Sequence, residues 1–209
     1  MLTEISGVHA FSELANRDDR AIGDWTVNQT EESVSLKLTH VSGDVLFLIA
    51  GRQVVTQEKV EVLTLATDSE IEDGLSLEET LERAIALDSI PVLPWGVGKW
   101  IGDRGQLVKT ALKTGQIFAG DNGGRPGFWP LPKFAQVRSP LPGSDPLPLI
   151  GEIERAGSFG FVVEDAIDES KPGASLKHLL RSASPAIEPY GRSLSPWTFV
   201  KNQTLLRLA

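Results

Sequence analysis

Three apolar stretches separated by two helical patterns lie between Val60 and Asp121, and this order constrains the fold more than any other feature of the sequence. The apolar stretches are residues 60–66, 90–93 and 117–119, which are typical of short buried strands. Two strands joined through a helix are expected to run parallel, with a right-handed crossover. The order therefore predicts two successive β–α–β units.

Both helical patterns carry boundary residues. Ser76 and Glu79 form a predicted capping box, in which the serine accepts from the Glu79 backbone and the Glu79 side chain reaches back. The second helix is predicted to take Asp103 as its N-cap and to stop at Gly115. Each loop after a strand then becomes a candidate for function, because ligand sites in α/β proteins lie at the C-terminal ends of strands.

The sequence on either side of this region predicts further strands. Residues 34–38 alternate between apolar and polar side chains, as in a half-buried strand. Residues 45–50 are continuously apolar up to Gly51, which predicts a strand buried on both faces. This cluster favours a partly antiparallel start, and residues 197–208 are predicted to form a terminal strand.

The composition excludes several classes of chemistry. The 209 residues include no cysteine and three histidines, which rules out disulfides, zinc–thiolate sites, iron–sulfur clusters and thiol nucleophiles. A net charge of −8 disfavours nucleic acid as a partner. No apolar run approaches the ~20 residues that span a bilayer, and no signal pattern opens the chain. We therefore expect a cytoplasmic protein with neither a nucleic-acid nor a membrane partner.

The loop after residues 90–93 is the first candidate site. Trp95, Lys99, Trp100 and Arg104 are candidate ligand-binding residues, because two glycines let the backbone approach a ligand and a helix start offers free N–H groups. Lys99 and Arg104 would hold an anion there. The alternative is a rigid loop in which the two tryptophans only pack.

The second candidate site follows residues 117–119. Asp121 is a candidate catalytic residue, and Asn122 and Arg125 are candidate ligand-binding residues, with Arg125 pairing with an anion. The alternative is an ordinary turn, since aspartate, asparagine and glycine are the common turn residues.

Two later polar positions complete the candidate set. Asp145, within residues 143–146, is a candidate metal ligand, general base or hydrogen-bond anchor, with a serine–aspartate–proline turn as the alternative. Arg155 lies in a charged run near two glycines and is a further candidate ligand-binding residue. The alternative for Arg155 is a solvated face, which is the usual place of a charged run.

The order of five short motifs resembles the polymerase-and-histidinol-phosphatase (PHP) superfamily of metal-dependent phosphoesterases. The motifs are a strand ending in glycine, a second strand, a loop with a capped helix, a strand ending in proline, and a late Gly-Ser-Asp sequence, at residues 51–56, 60–65, 73–79, 92–95 and 141–147. The resemblance implies a β/α barrel with a site at the C-terminal ends of its strands.

The metal ligands that the resemblance implies are mostly missing. Gln53, Glu61, Pro94 and Leu147 stand where the family has an acidic or histidine ligand, and Asp145 alone matches a ligand position. A three-metal cluster of the family type is therefore not expected. Asp145 with Glu61 or Asp121 would still offer oxygen ligands to one Mg²⁺ or Ca²⁺ ion.

These observations define the expected fold and function. We expect a single α/β domain over residues 1–209, built as a distorted or incomplete TIM-like, PHP-type barrel with some antiparallel strands near the N-terminus and an atypical segment at residues 1–30. The predicted function is binding of a small anionic or sugar-like ligand at a degenerate site. The alternatives are a phosphoester hydrolase with one oxygen-ligated divalent metal and a protein-interaction subunit. The sequence does not define the oligomeric state.

Overall fold

The computed structural model describes residues 1–136, 138–182 and 187–208. Its strands are β1 Leu2–Glu4, β2 Ala21–Ile22, β3 Trp25–Gln29, β4 Ser35–His40, β5 Val45–Val55, β6 Glu61–Leu65, β7 Ile90–Trp95, β8 Phe118–Asp121, β9 Leu141–Pro142, β10 Phe159–Val163 and β11 Ile187–Gly191. Its α-helices are α1 Ala10–Ala15, α2 Leu77–Ala86, α3 Asp103–Ala111, α4 Pro172–Arg181 and α5 Pro196–Leu208. Short 3₁₀ segments occupy Leu112–Thr114, Lys133–Gln136 and Glu152–Arg155.

The predicted TIM-like, PHP-type barrel is wrong, because the main sheet stays open. Nine strands form this sheet in the order β2-β3-β4-β5-β6-β7-β8-β9, with β1 paired to β5. Neighbours from β2 to β6 run antiparallel, whereas β1 with β5, β7 with β8, and β8 with β9 run parallel. The architecture is mixed α/β with a mostly antiparallel sheet.

The lengths of the connections explain why the barrel prediction fails. Parallel neighbours need a crossover of about a dozen residues or more, whereas antiparallel neighbours need only a short turn. The connections from β2 through β6 are residues 23–24, 30–34, 41–44 and 56–60, all too short for a crossover. From β2 onward, connections that contain a helix begin only after β6, so the β–α–β pattern describes part of the sheet.

Strand β5 exchanges partners along its length. Its residues 45–49 pair with β4, and its residues 51–55 pair with β6. Between these halves, residues 50–52 pair in parallel with β1. The apolar run predicted to end at residue 50 thus continues through a second half, and its first residues, Val45 and Leu46, are about half exposed rather than buried.

Gly51 lies at the point of exchange and does not end the strand. A Cβ atom there would stand 3.0 Å from the Thr64 carbonyl oxygen and 3.1 Å from Thr3 Cγ2. Only a residue without a side chain allows strands to approach this closely on both sides. The glycine is therefore a packing requirement of β5.

The structure divides into two compact units. Unit 1 comprises Met1–Pro91 and Asp165–Pro185, and unit 2 comprises Val92–Glu164 and Ala186–Ala209. In unit 1, one apolar cluster contains Phe11 of α1, Val27 of β3, and Leu36 and Leu38 of β4. A smaller cluster packs α2 against β5 through Ala84 and Val54.

A buried ion pair ties the N-terminal segment into unit 1. Arg52 Nη1 donates to Glu4 Oε2 at 3.2 Å, and both side chains are only 6% exposed. The second oxygen of Glu4 accepts from the backbone N–H of Phe11, and Arg52 also donates to Glu70. The atypical N-terminal segment thus contributes β1 and the short α1 to the fold of unit 1.

Side-chain carboxylates also fix α2 and α4. Ser76 accepts from the Glu79 N–H as the capping box predicts, although the Glu79 carboxylate pairs with Arg83. Asp88 follows α2 and accepts hydrogen bonds from Lys177 and Arg181 of α4. These two hydrogen bonds hold the pKa of Asp88 below its usual value.

Unit 2 is built on two completely buried strand segments and a helix with little burial. All residues of β8, and the β7 residues from Val92 to Trp95, are buried, and Val108 of α3 is fully buried. The terminal strand predicted at residues 197–208 is the helix α5. Only Asn202 of α5 is buried. The apolar pattern that suggested a strand therefore does not mark a side of α5 that faces the core.

Within the described residues, no helix combines the length and apolar character needed to cross a membrane.

We expect Arg52→Met to lower the free energy of unfolding by about 3 kcal/mol, because it leaves the Glu4 carboxylate buried without its cation. The double variant Glu4→Gln/Arg52→Met should recover part of this loss. Urea denaturation followed by circular dichroism measures both. Arg83→Met is the control, since its ion pair with Glu79 is exposed and should contribute less than about 1 kcal/mol. Equal losses in Arg52→Met and Arg83→Met would contradict the prediction.

Candidate functional site

The C-terminal ends of β7, β8 and β9 lie side by side in unit 2. Trp95, the last residue of β7, is the register partner of Asp121, and Asp121 is the register partner of Pro142. The Gly143 N–H donates to the Asp121 carbonyl at 2.9 Å, which carries the β8–β9 pairing one residue further. The loops that begin after these three strands therefore start from one edge of the sheet.

Asn122 and Asp145 meet at this edge. Asn122 Nδ2 donates to Asp145 Oδ2 at 3.1 Å, and the Asp145 side chain is exposed. Asn122 Oδ1 accepts from the Gly124 N–H at 3.0 Å, which fixes the direction of the amide. The hydroxyl of Ser144 accepts from the Gly157 N–H and holds the loop that carries Asp145. Two side chains that the sequence proposes from separate motifs are thus in direct contact.

Lys99 borders the same pair. A Cβ atom at Gly96 would lie 3.2 Å from the Lys99 side chain and 3.5 Å from Asn122 Nδ2. The Lys99 N–H donates to the Gly96 carbonyl in a tight turn. Glycine at position 96 therefore lets the lysine stem and the asparagine amide share one small region of the surface.

Asp121 and Arg125 form a buried ion pair. Asp121 Oδ2 accepts from Arg125 Nη2 at 2.7 Å, and Oδ1 accepts from Arg125 Nε and from the Gly123 N–H. Their side chains are 7% and 12% exposed. Both carboxylate oxygens are occupied, so this geometry favours a positioning role for Asp121 over the catalytic role that the sequence suggests.

The two tryptophans and Arg104 have different surroundings. Trp95 is 5% exposed and lies under the Arg125 guanidinium, 5.8 Å from its ring centroid. Trp100 is half-buried and stacks on Phe134, with ring centroids 5.8 Å apart. Arg104 is the second residue of α3, whose N-cap is Gly102 rather than the predicted Asp103. Packing accounts for both rings, as in the alternative that the sequence left open.

Arg155 belongs to a separate buried cluster in unit 2. Glu152 accepts from Arg155 Nη1 at 2.8 Å and from Asn202 Nδ2 of α5 at 2.9 Å. Arg155 Nη2 is buried without a hydrogen-bond partner in the described part of the chain. Burial of the Glu152 carboxyl acts to raise its pKa, but the hydrogen bonds from Arg155 and Asn202 together outweigh burial and leave the pKa below its usual value.

Glu61 and Asp145, proposed together for a single metal ion, belong to different units, and the alternative ligand Asp121 already accepts hydrogen bonds at both carboxylate oxygens. Glu61 begins β6 in unit 1, and Asp145 follows β9 in unit 2. No three histidine, cysteine, aspartate or glutamate side chains are grouped to hold a metal ion among the residues that the structure describes.

Unit 1 contains a groove that no sequence pattern indicated. This groove has a volume of about 470 Å³ and combines polar side chains with a few apolar ones, namely Phe11, Ser12, Ala15, Asn16, Gln29, Thr30, Glu31, Glu32, Ser33, Ser35, Leu36 and Asp68. The Glu32 carboxylate is already used, since it accepts from the Gly173 and Ala174 N–H groups and from Ser35. The residues that line the groove lie at positions 11–36 and at position 68, and they form no motif.

Comparison with known proteins adds no relative. No family model matches the sequence, and no curated protein or solved structure matches it. The resemblance to the PHP superfamily therefore stays a prediction from five short motifs, and the barrel it implies is absent from the described sheet.

The Glu152 cluster predicts a pH-dependent stability. The folded protein binds a proton at Glu152 less readily than the unfolded chain, so the cluster stabilises the fold above the ordinary glutamate pKa of 4.5 and loses this contribution as pH falls through the lower folded pKa. We expect Glu152→Gln to be less stable than the native chain at pH 7, and the difference to shrink as pH falls below 4.5. Urea midpoints across pH 7 to 3 measure it. The exposed Glu154→Gln is the control, and a difference independent of pH would contradict the assignment.

Proposed function

We propose that unit 2 binds a small molecule that carries both an anionic group and hydroxyl groups, of the sugar-phosphate class, at the C-terminal ends of β7, β8 and β9. The observation that carries this proposal is the exposed Asn122–Asp145 pair at 3.1 Å, with Lys99 beside it. Ligands of open α/β sheets bind outside the carboxyl ends of parallel strands, which is where these three residues lie.

The chemistry of the three side chains defines the ligand class. A carboxylate accepts hydrogen bonds and an amide both donates and accepts, so Asp145 and Asn122 suit neighbouring hydroxyl groups. The Lys99 ammonium suits an anionic group as a point charge. Asp145 would repel an anion placed next to it, so the anionic group must lie toward Lys99 and the hydroxyls toward Asp145.

The arrangement is supported by surroundings that fix it before a ligand arrives. The Gly124 N–H holds the Asn122 amide, the Ser144 hydroxyl holds the Asp145 loop, and the Asp121–Arg125 pair lies beneath the strand end. Side chains that are already oriented lose less conformational freedom on binding, which favours affinity for a small ligand.

Titration calorimetry with glucose 6-phosphate, glucose and inorganic phosphate tests the proposal. We expect glucose 6-phosphate to bind more tightly than either glucose or phosphate, because only it satisfies both ends of the site. Lys99→Met and Asp145→Asn should each weaken it about tenfold or more, since a hydrogen bond to a charged group contributes about 1.5–3 kcal/mol. Lys109→Met, an exposed lysine of α3, is the matched control and should bind as the native protein does.

Two results would overturn the proposal. The first is a negative binding experiment, in which none of the three probes binds or all variants bind glucose 6-phosphate equally. The second is a divalent metal that copurifies with the chain together with phosphatase activity, both lost in Asp145→Asn. That result would establish the alternative function, phosphoester hydrolysis with one oxygen-ligated metal ion.

A further inference from the structure

Unit 2 exposes a group of large apolar side chains that its fold leaves uncovered. Phe128 is 74% exposed, Trp129 44%, Trp197 78% and Val200 56%. The rings of Trp129 and Phe199 are in contact, with centroids 6.5 Å apart, so the loop after β8 and the helix α5 form one surface. We call these five residues the aromatic face. An exposed apolar surface with several large rings marks an interaction site.

The helix α5 presents this face with a regular spacing. Trp197, Val200, Thr204 and Leu208 recur three and four residues apart along the helix, and all four are exposed. Asn202, the buried residue of α5, anchors the helix to Glu152. A polar anchor therefore holds the helix in place, while Trp197, Val200 and Leu208 of this stripe stay exposed to solvent.

The two chain segments that carry the aromatic face are basic between Asp121 and Asp145 and after Glu188. Residues 122–144 and 189–208 contain six lysine and arginine residues and no aspartate or glutamate. Four of these cations are exposed: Lys133, Arg192, Lys201 and Arg207. Unit 2 as a whole has 11 lysine and arginine residues against seven acidic residues, whereas unit 1 has nine against 21. The net charge of −8 is therefore the sum of −12 in unit 1 and +4 in unit 2.

We propose that the aromatic face docks this protein onto the surface of a bilayer that contains anionic lipids. Tryptophan and other aromatic rings favour the interface between headgroups and acyl chains, and lysine and arginine bind the anionic headgroups. Surface docking of this kind needs no helix that crosses the bilayer. The proposal departs from the prediction of no membrane partner, which rested on the lack of a spanning segment and of a signal pattern.

Charge and side-chain type favour a lipid surface over other occupants. In a symmetric dimer formed through this face, the same cations would oppose each other across the interface. A single-stranded nucleic acid would use the cations and the rings, but its bases do not need the aliphatic Val200 and Leu208 of the same stripe. An anionic bilayer uses all three kinds of side chain, because apolar groups enter the acyl boundary while cations stay at the headgroups.

Vesicle flotation with the full chain tests this proposal. We expect binding to vesicles of phosphatidylcholine and phosphatidylserine in a 3:1 ratio, weak binding to pure phosphatidylcholine, and a loss of binding as NaCl rises from 50 to 300 mM. Phe128→Ser and Trp197→Ser should each weaken binding about tenfold. Lys201 should contribute about fivefold to the affinity for anionic vesicles. Lys201→Glu replaces this attraction with a repulsion and should therefore weaken vesicle binding further.

A matched control and two competing measurements complete the experiment. Val41→Ser changes an 80% exposed valine of unit 1 and should leave vesicle binding unchanged. Circular dichroism verifies that each variant is folded. Equal binding to neutral and anionic vesicles, no binding to either, or tighter binding to a single-stranded oligonucleotide would overturn the proposal. A native chain that sediments as a dimer, with Trp197→Ser monomeric, would assign the face to a second copy instead.

Discussion

Strand β5 is the element on which unit 1 depends, because it is hydrogen-bonded to three other strands and carries a buried cation. β4, β6 and β1 all pair with it, and the exchange of partners falls at residues 50–52. Arg52 lies there, 5% exposed. A buried guanidinium needs carboxylate partners, and Arg52 takes one from the N-terminal segment, Glu4, and a second from Glu70. Arg52 thus explains why a weakly patterned segment is ordered and adds a parallel strand.

The positions of most strands could be predicted from the sequence, but their neighbours could not. Alternation and apolar runs located β4, β6, β7 and β8 within a few residues, because burial of one or two faces of a strand leaves its period in the sequence. Partner choice leaves no such period. It depends on connection length and on close approach, as at Gly51, where a residue that commonly ends a strand instead admits two neighbours. The barrel prediction assumed that the parallel pairing expected across the helix-containing connections also holds for strands joined by short connections.

The position of the candidate site was predictable from the strand pattern, whereas the helix α5 was not. Asn122 and Asp145 follow strand ends, and parallel strands bring their C-terminal ends together, so reading the motifs in order placed both residues at one edge. α5 buries only Asn202 and anchors through hydrogen bonds to Glu152. Its apolar residues face solvent, so their pattern carries no information about a core, and its alternation at the start resembled a strand.

Arg125 connects the strand edge to the aromatic face. Its Nη2 donates to Asp121 at the end of β8, and its Nη1 donates to the Trp129 carbonyl at 2.6 Å. The intervening residues are rich in glycine and proline and form no strand or α-helix, and a hydrogen bond from the Leu194 N–H to the Gly123 carbonyl and an isolated bridge between Pro126 and Leu194 also hold them. One guanidinium therefore orients both Asp121, next to Asn122, and the loop that exposes Phe128. A change that frees Arg125 from Asp121 must disturb the two regions together, even though they present different chemistry to solvent.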